Sequence, residues 1–384
     1  MKEAPRLLPL LLCIMMLPCL SGCWNYTEVD DISIVAGVAI DKDGANEKIQ
    51  LTAEMVDIQG GLDQNQAGFK MLSLTGNTIF DIVRNMISMT GRKLFWSHAK
   101  AIIFSEKVAR EGLIRTVDWY SRDTETRSDV FIFVSDEPTA REILNLNSTT
   151  KTIMSFELAQ MMRDEKYTSS APTVEIWDFI DKLETLGNHA VAPLISIHEQ
   201  NGQKNERVSG CAIFSKDKMI GKLNGKETKN MLFAKDGIKG GVLAVNDKNG
   251  VPTYSLEILS SRTKVKPKVV DGKLLLQVRT VTHTGLDEVM TSESFSGYET
   301  ISAIEERAGQ ALKQEIQSLI RKMQQEYHAD IFGYGEIIHE HQPKMWAKVR
   351  DHWDDEFAKL DITVDSKVII ESSAKTSRSI KLGD

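Results

Sequence analysis

The residues of this 384-residue chain that could do chemistry are four cysteines, eight histidines and several adjacent carboxylates. Cys23 is the most informative of them. A charged start (Lys2, Arg6) leads into an apolar run from Leu7 to Leu20, and Leu20-Ser21-Gly22-Cys23 closes it. At about 14 residues the run falls short of the roughly 20 that span a bilayer, so it reads as the h-region of a removable signal. Small residues before Cys23 let a peptidase reach the backbone, and the thiol supplies the sulfur for a thioether to diacylglycerol. The expectation is a mature chain that starts at Cys23 and is held by acyl chains on the outer face of a bacterial membrane. An ordinary secretory signal, or an uncleaved anchor with a chance cysteine, is the competing reading.

The other candidates read as structural. Cys13 and Cys19 leave with the signal, so Cys211 has no disulfide partner within the mature chain. It lies in the apolar stretch Val208–Phe214 and reads as a buried, inert thiol. His339 and His341 could chelate a metal together only on a strand, because on a helix they point about 200° apart. With His352 nearby, solvated histidines are the better account. Asp30-Asp31, Glu305-Glu306 and Asp354-Asp355 are neighbours in sequence, which do not share a face of a regular element, and read as solvated. Gly333-x-Gly335 is too little for a phosphate loop, and neither a G-x-S-x-G elbow nor an H-E-x-x-H motif occurs. No catalytic residue, cofactor site or metal site is therefore expected.

The elements that would carry these residues alternate between strand and helix. Asp31–Asp57 reads as a β-hairpin turning at Asp41-Lys42-Asp43-Gly44, and residues 59–68 as a loop. A helix is expected over Asn77–Met89 with Gly91 as its stop, then a strand Ala99–Phe104 and helices Glu106–Glu111 and Leu113–Arg122. Val130–Val134 is a continuous apolar strand, followed by a helix near Pro138. Thr150–Glu184 reads as helical, with Val174, Trp177, Ile180 and Leu183 on one face. Ala192–Ile197 closes this half. The run Glu199–Arg207 has no apolar residue and reads as a linker.

Beyond it, strands are expected at Val208–Phe214, Met219–Leu223, Gly240–Val245, Thr253–Leu259 and Lys273–Val281. Asp247-Lys248-Asn249-Gly250 and Asp271-Gly272 sit at hairpin turns. Tyr298–Tyr327 carries the longest helical stripe, from Ile301 through Ile304, Ala308, Leu312 and Ile316 to Met323. Ser296-x-x-Glu299 and Ser302-x-x-Glu305 both fit a capping box at its start. Asp330–His341 and Lys344–Phe357 read as shorter helices and Leu360–Glu371 as a closing strand.

Together these give a mixed α/β (α+β) protein with helices packed on mixed sheets. The expected divisions are a signal over 1–22, an N-terminal domain over 23–198, the linker 199–207 and a C-terminal α+β domain over 208–384. The last could split into 208–295 and 296–384. The net charge is −7, and loss of residues 1–22 makes it one unit more negative. An acidic chain has no general attraction for nucleic acid or anionic lipid. The acyl chains, not a basic patch, are expected to hold it at the membrane.

Three groups of residues together resemble one family. The first is Gly22-Cys23-Trp24, Glu28-Val29-Asp30-Asp31 and Ile34-Val35-Ala36-Gly37-Val38-Ala39-Ile40-Asp41. The second is His98-Ala99-Lys100-Ala101-Ile102-Ile103-Phe104, Ala109-Arg110-Glu111-Gly112-Leu113 and Asp118-Trp119-Tyr120-Ser121-Arg122. The third is Asp330-Ile331-Phe332-Gly333-Tyr334-Gly335, Pro343-x-x-Trp346 and His352-Trp353-x-x-x-Phe357. In this order, through essentially the whole chain, they resemble the Ger(x)C-type spore germination lipoproteins, the C subunits of nutrient germinant receptors.

The resemblance implies a mixed α/β, multi-domain fold without enzymatic activity or cofactor. It implies a place on the outer surface of the spore inner membrane and two membrane-embedded partners, an A and a B subunit, with which germination is triggered. Only Cys23 carries over with a defined role, as an N-palmitoyl, S-diacylglycerol cysteine. Trp119, Trp346, Trp353 and Phe357 read as packing aromatics. A solute-binding lipoprotein of an importer is the alternative, but it expects two similar lobes, and these halves are unlike. A surface hydrolase would need a nucleophile–base or metal constellation that the sequence does not display.

Overall fold

The computed structural model describes residues 31–44, 47–57, 68–146, 153–246, 252–290 and 298–372. Continuous apolar runs build its first sheet. β1 (Ile32–Lys42), β2 (Ile49–Asp57), β3 (Gly68–Gly76), β4 (Lys93–Phe95), β5 (Ala101–Ser105), β6 (Phe131–Ser135), β7 (Val191–Gln200), β8 (Gln203–Ser215) and β9 (Lys218–Leu223) belong to it. The order is β3-β2-β1-β5-β6-β7-β8-β9, with β4 pairing the start of β1. The four central strands run parallel, and antiparallel strands flank them on both sides.

Parallel strands are covered on both faces, which is why β5 and β6 are apolar at consecutive positions. Val38, Ile40, Ile102, Phe104, Ile132 and Val134 face one layer. It is made by α1 (Ile79–Thr90), α2 (Glu106–Glu111) and α3 (Ile114–Arg122). The alternate residues Ala39, Ala101, Ile103, Phe131 and Phe133 face α4 (Arg141–Leu144) and α5 (Met154–Asp164). Helix α6 (Ile176–Glu184) returns to the first layer through Ile176 and Phe179. Thr78 caps α1 by accepting from Asp81 N–H at 3.2 Å, and Gly91 ends it at φ 66°. A cap of this kind contributes about 1 kcal/mol.

The second sheet has the order β10-β11-β12-β13, from β10 (Val242–Asn246), β11 (Pro252–Val270), β12 (Lys273–Val289) and β13 (Asp361–Ser372). Between the sheets lies α7 (Gly225–Ala234), started by a capping box of Asn224 and Glu227. Helix α8 (Tyr298–Lys322) lays Ile304, Ala308, Leu312, Ile316 and Leu319 on the second sheet. The short helices α9 (Tyr334–His341), α10 (Pro343–Val349) and α11 (Trp353–Lys359) close that core.

Several expectations are corrected. Residues 199–207 are not a linker: they form the end of the β7–β8 hairpin, with Gln200 paired to Gln203. The run is polar because the hairpin end projects past the core and the ladder satisfies its backbone. Nor does the second half break away at 208, since β8 and β9 stay in the first sheet to Leu223. The helical stretch 150–184 breaks into α5, a short 3₁₀ turn and α6, with Pro172 between them. Trp177 is exposed, because α6 begins at Ile176 and its phase buries Ile176 and Phe179 instead.

Helix α7 had no sequence expectation. β11 runs to Val270, well past Leu259. Ser302 lies inside α8 and caps nothing, while Ser296 and the turn Asp247–Gly250 lie outside the described residues.

Candidate functional site

Cys23, with the signal preceding it, lies outside the described residues. Cys211 sits in β8, fully buried, with Thr228 Oγ1 at 3.5 Å from its sulfur. Burial pushes its thiol pKa up to about 12, so it is inert as a nucleophile at neutral pH. His339 and His341 are both on α9, whose helical geometry separates them. His339 packs against Trp346, and His341 Nδ1 lies 3.0 Å from Ile337 O. His352 is exposed beside Glu356. Asp354 and Asp355 are exposed. Glu305 departs from the solvated reading: its Oε1 accepts from Ile370 N–H at 2.7 Å, pinning α8 to β13. Among the described residues no three His, Cys, Asp or Glu side chains converge on one point.

Three buried acids that sequence reasoning did not single out as sites organise the chain. Asp41 accepts from Ala140 N–H at 2.7 Å and Arg141 N–H at 3.1 Å, at the start of α4. Glu54 accepts from Met154 and Ser155 N–H, each at 2.9 Å, and from Ser155 Oγ, at the start of α5. Helix starts leave unpaired N–H groups and positive potential, which these carboxylates meet. Burial raises both pKa values, and the donated hydrogen bonds oppose the rise. Gly37 belongs to the same arrangement. A Cβ there would stand 2.1 Å from Ser155 Oγ, so only glycine lets α5 seat on β1. Within the segment Ile34–Asp41, then, Gly37 and Asp41 have defined packing tasks.

Asp330, Trp346 and Trp353 of the third matched group meet at the junction of the two halves. Asp330 has no exposed surface. Its Oδ1 accepts from Phe332 N–H at 3.1 Å, and its Oδ2 from Gly335 N–H at 2.8 Å and Trp353 Nε1–H at 3.1 Å. Burial raises its pKa to about 6 against those three donors. Its backbone pairs with His189, in the loop between α6 and β7. Burial lowers the His189 pKa, and Asp354 Oδ1, 3.7 Å from Nε2, works the other way. Gly187 (φ 83°) lies under Trp346, where a Cβ would come within 2.3 Å of the ring. Trp346 meets Trp353 edge-on at 5.4 Å, and Lys182 of α6 reaches Glu336 of α9 at 3.2 Å.

Beside this junction is a cavity of about 510 Å³, lined by both apolar and charged residues, among them Phe179, Leu232, Asp178, Lys182, His189 and Lys235. The surrounding walls lower the Lys235 pKa by desolvation, although water still reaches its side chain. The aromatics Trp346, Trp353 and Phe357 are buried, as a packing role requires. Trp119 is half-buried, edge-on to Trp96 at 5.4 Å.

Comparison with known proteins agrees with this arrangement. Residues 25–197 match the family described as the spore germination protein N-terminal domain. Residues 209–374 match the spore germination B3/GerAC-like C-terminal family. The spore germination protein YndF of Bacillus subtilis (strain 168) is 26% identical, over 96% of this chain and 97% of its own length. Spore germination protein KC of the same organism is 25% identical, over 97% and 96%. The crystal structure of the GerBC protein superposes with a TM-score of 0.57 at 20% identity, covering 87% of this chain and 97% of that one, which shows a shared fold. Two adjoining family matches, relatives aligned nearly end to end and a common fold lead to one statement: this chain belongs to the GerAC, or Ger(x)C-type, family of spore germination proteins.

Proposed function

We propose that this protein is the lipid-anchored, non-enzymatic subunit of a spore nutrient germinant receptor. It acts with membrane-embedded A and B subunits on the outer face of the spore inner membrane. The observation that carries this reading is the Asp330–His189 junction. There the side chains best suited to acid–base chemistry bind backbone and ring N–H groups inside the protein. Groups so engaged serve to hold a shape, with Asp330 enclosed and His189 also bordering the neighbouring cavity.

The lipobox ending at Cys23 supports the anchor. No helix among the described residues is long and apolar enough to cross a membrane. From Cys23 to the start of β1 the chain can reach at most about 30 Å, so the anchor would keep the body close to the bilayer.

The test is affinity purification of the tagged protein from detergent-solubilised spore inner membrane, with mass spectrometry of what accompanies it. Two polytopic receptor subunits are expected. The 510 Å³ cavity favours a second reading, a solute-binding lipoprotein. Recovery of an importer permease and ATPase instead would select it, and recovery of the protein alone would overturn the receptor reading.

A further inference from the structure

The acidic net charge conceals a strongly basic face. β11 and β12 form a long antiparallel hairpin that turns at Asp271-Gly272. Alternate side chains on a strand share a face. On β11, Thr263 is buried and Val265 packs on the core. The residues between and beyond them, Arg262, Lys264, Lys266 and Lys268, are all exposed on the opposite face. Arg279 lies across from Lys264 on β12, and Lys367 follows on β13. Arg262 is paired with Asp236, and Arg279 with Asp365. Lys264, Lys266 and Lys268 make no ion pair with any described residue. A hollow of about 440 Å³ lies on this face, lined by Arg262, Lys264, Lys266, Gln277, Arg279 and Val281.

The same row ends in apolar surface. Val270, on this face just before the turn, is 49% exposed, and Val269, on the other face, is 41% exposed. From Lys264 to Val270 the row spans about 20 Å. Lysines without an ion pair among the described residues, leading to exposed valines beside the turn, match an anionic bilayer surface. The ammonium groups meet headgroup phosphates, their stems lie along the interface, and the valines enter the acyl boundary. A protein partner is matched less well, because the row offers no aromatic anchor.

We infer that this face and tip of the β11–β12 hairpin dock on an anionic lipid surface, as a second membrane contact that orients the body. The inference rests on the membrane placement proposed above, and its test separates the two.

The test uses the full chain with Cys23→Ser, so that no acyl chain obscures the count. Flotation is compared on vesicles of phosphatidylcholine alone and of phosphatidylcholine with 30% phosphatidylglycerol, a composition chosen for the assay at roughly 0.1 M and 0.5 M salt. The expected result is a gain in binding on the anionic vesicles at low salt, lost at high salt. Lys264→Glu/Lys266→Glu/Lys268→Glu should reduce that gain at least tenfold. Val270→Ser, in which every charge remains, should lower it several-fold. Equal thermal unfolding of the variants checks that they fold. The inference is overturned by a gain that the triple variant keeps, or by no gain at all. It is overturned too if a photo-cross-linker at position 270 captures a protein rather than lipid in native membranes. Wild type against Cys23→Ser on phosphatidylcholine alone reads the acyl anchor separately.

Discussion

His189 and Asp330 exchange two hydrogen bonds across the junction of the halves. His189 N–H donates to Asp330 O at 2.8 Å, and Asp330 N–H donates to His189 Nδ1 at 3.1 Å. The second bond needs an unprotonated Nδ1, which places the imidazole proton on Nε2, toward Asp354. A backbone group thus fixes the tautomer of a buried histidine, and the histidine fixes the position of a buried acid.

A pH dependence follows. The His189 pKa is depressed by burial, so folding excludes its proton. Its contribution is fully present above the unfolded value near 6.5 and is lost as pH falls below it. His189→Asn keeps an acceptor for Asp330 N–H and removes the titration. Denaturant unfolding should therefore show the variant gaining on the wild type, by on the order of 1 kcal/mol, between pH 7 and pH 5. Parallel curves would contradict this.

Asp330 has the opposite sign. Its folded pKa, about 6, lies above the unfolded value, so its contribution is complete below about pH 4 and is lost as pH rises through 6. The loss is up to about 3 kcal/mol. In the His189→Asn background, where the histidine no longer offsets it, stability should rise as pH falls from 6.5 to 4.5. A flat profile would mean that the three N–H donors fully offset burial.

Gly37→Ala should cost about 2–3 kcal/mol, because the new methyl overlaps Ser155. Ser155→Gly removes both Oγ and Cβ from that space. In the double variant the cost of Gly37→Ala should fall by more than half, and a double-mutant cycle measures the coupling. Simple additivity would show that the methyl clashes with something else, with Ala101 O as the next neighbour at 2.8 Å.

Thiol titration tests the proposed processing at Cys23 and the burial of Cys211 together. With Cys23 acylated as proposed, the native protein should show no reactive thiol and the unfolded protein one, Cys211. Two thiols after unfolding would contradict the lipobox reading. A reactive thiol before unfolding would contradict the burial of Cys211.

Cys23→Ala should leave the unfolding midpoint of the body unchanged while releasing most of the protein from spore membranes at moderate salt. Complete retention would mean that partner contacts or the basic hairpin suffice without acyl chains.

Much of the fold was legible because burial on both faces leaves a plain mark. β1, β5 and β6 are apolar at consecutive positions, and α8 has a clean helical stripe. Helix α7 was not legible: Met231, Leu232, Phe233 and Ala234 are all buried, and consecutive buried positions in its C-terminal half show no helical period. The run 199–207 was misread because a loop and a hairpin end both lack apolar residues. Asp41 and Glu54 did leave a signal, a lone acid within an apolar strand, but their partners lie about 100 residues away. The basic face escaped because net charge averages over the chain, whereas alternation along β11 segregates it.

The membership of β8 in two cores sets an order of assembly. Ala212 and Phe214 point into the first core, and Cys211 and Ile213 into the second. A chain that emerges N-terminus first, from a ribosome or an export channel, presents β7 with an open edge until β8 has followed, through residue 213. Up to that point the N-terminal sheet carries an unpaired strand beside Ala192 and Leu194, a ready template for pairing with another chain. The interval in which this protein is most exposed to aggregation therefore falls in the middle of its emergence, and a fragment ending at residue 197 would remain in it.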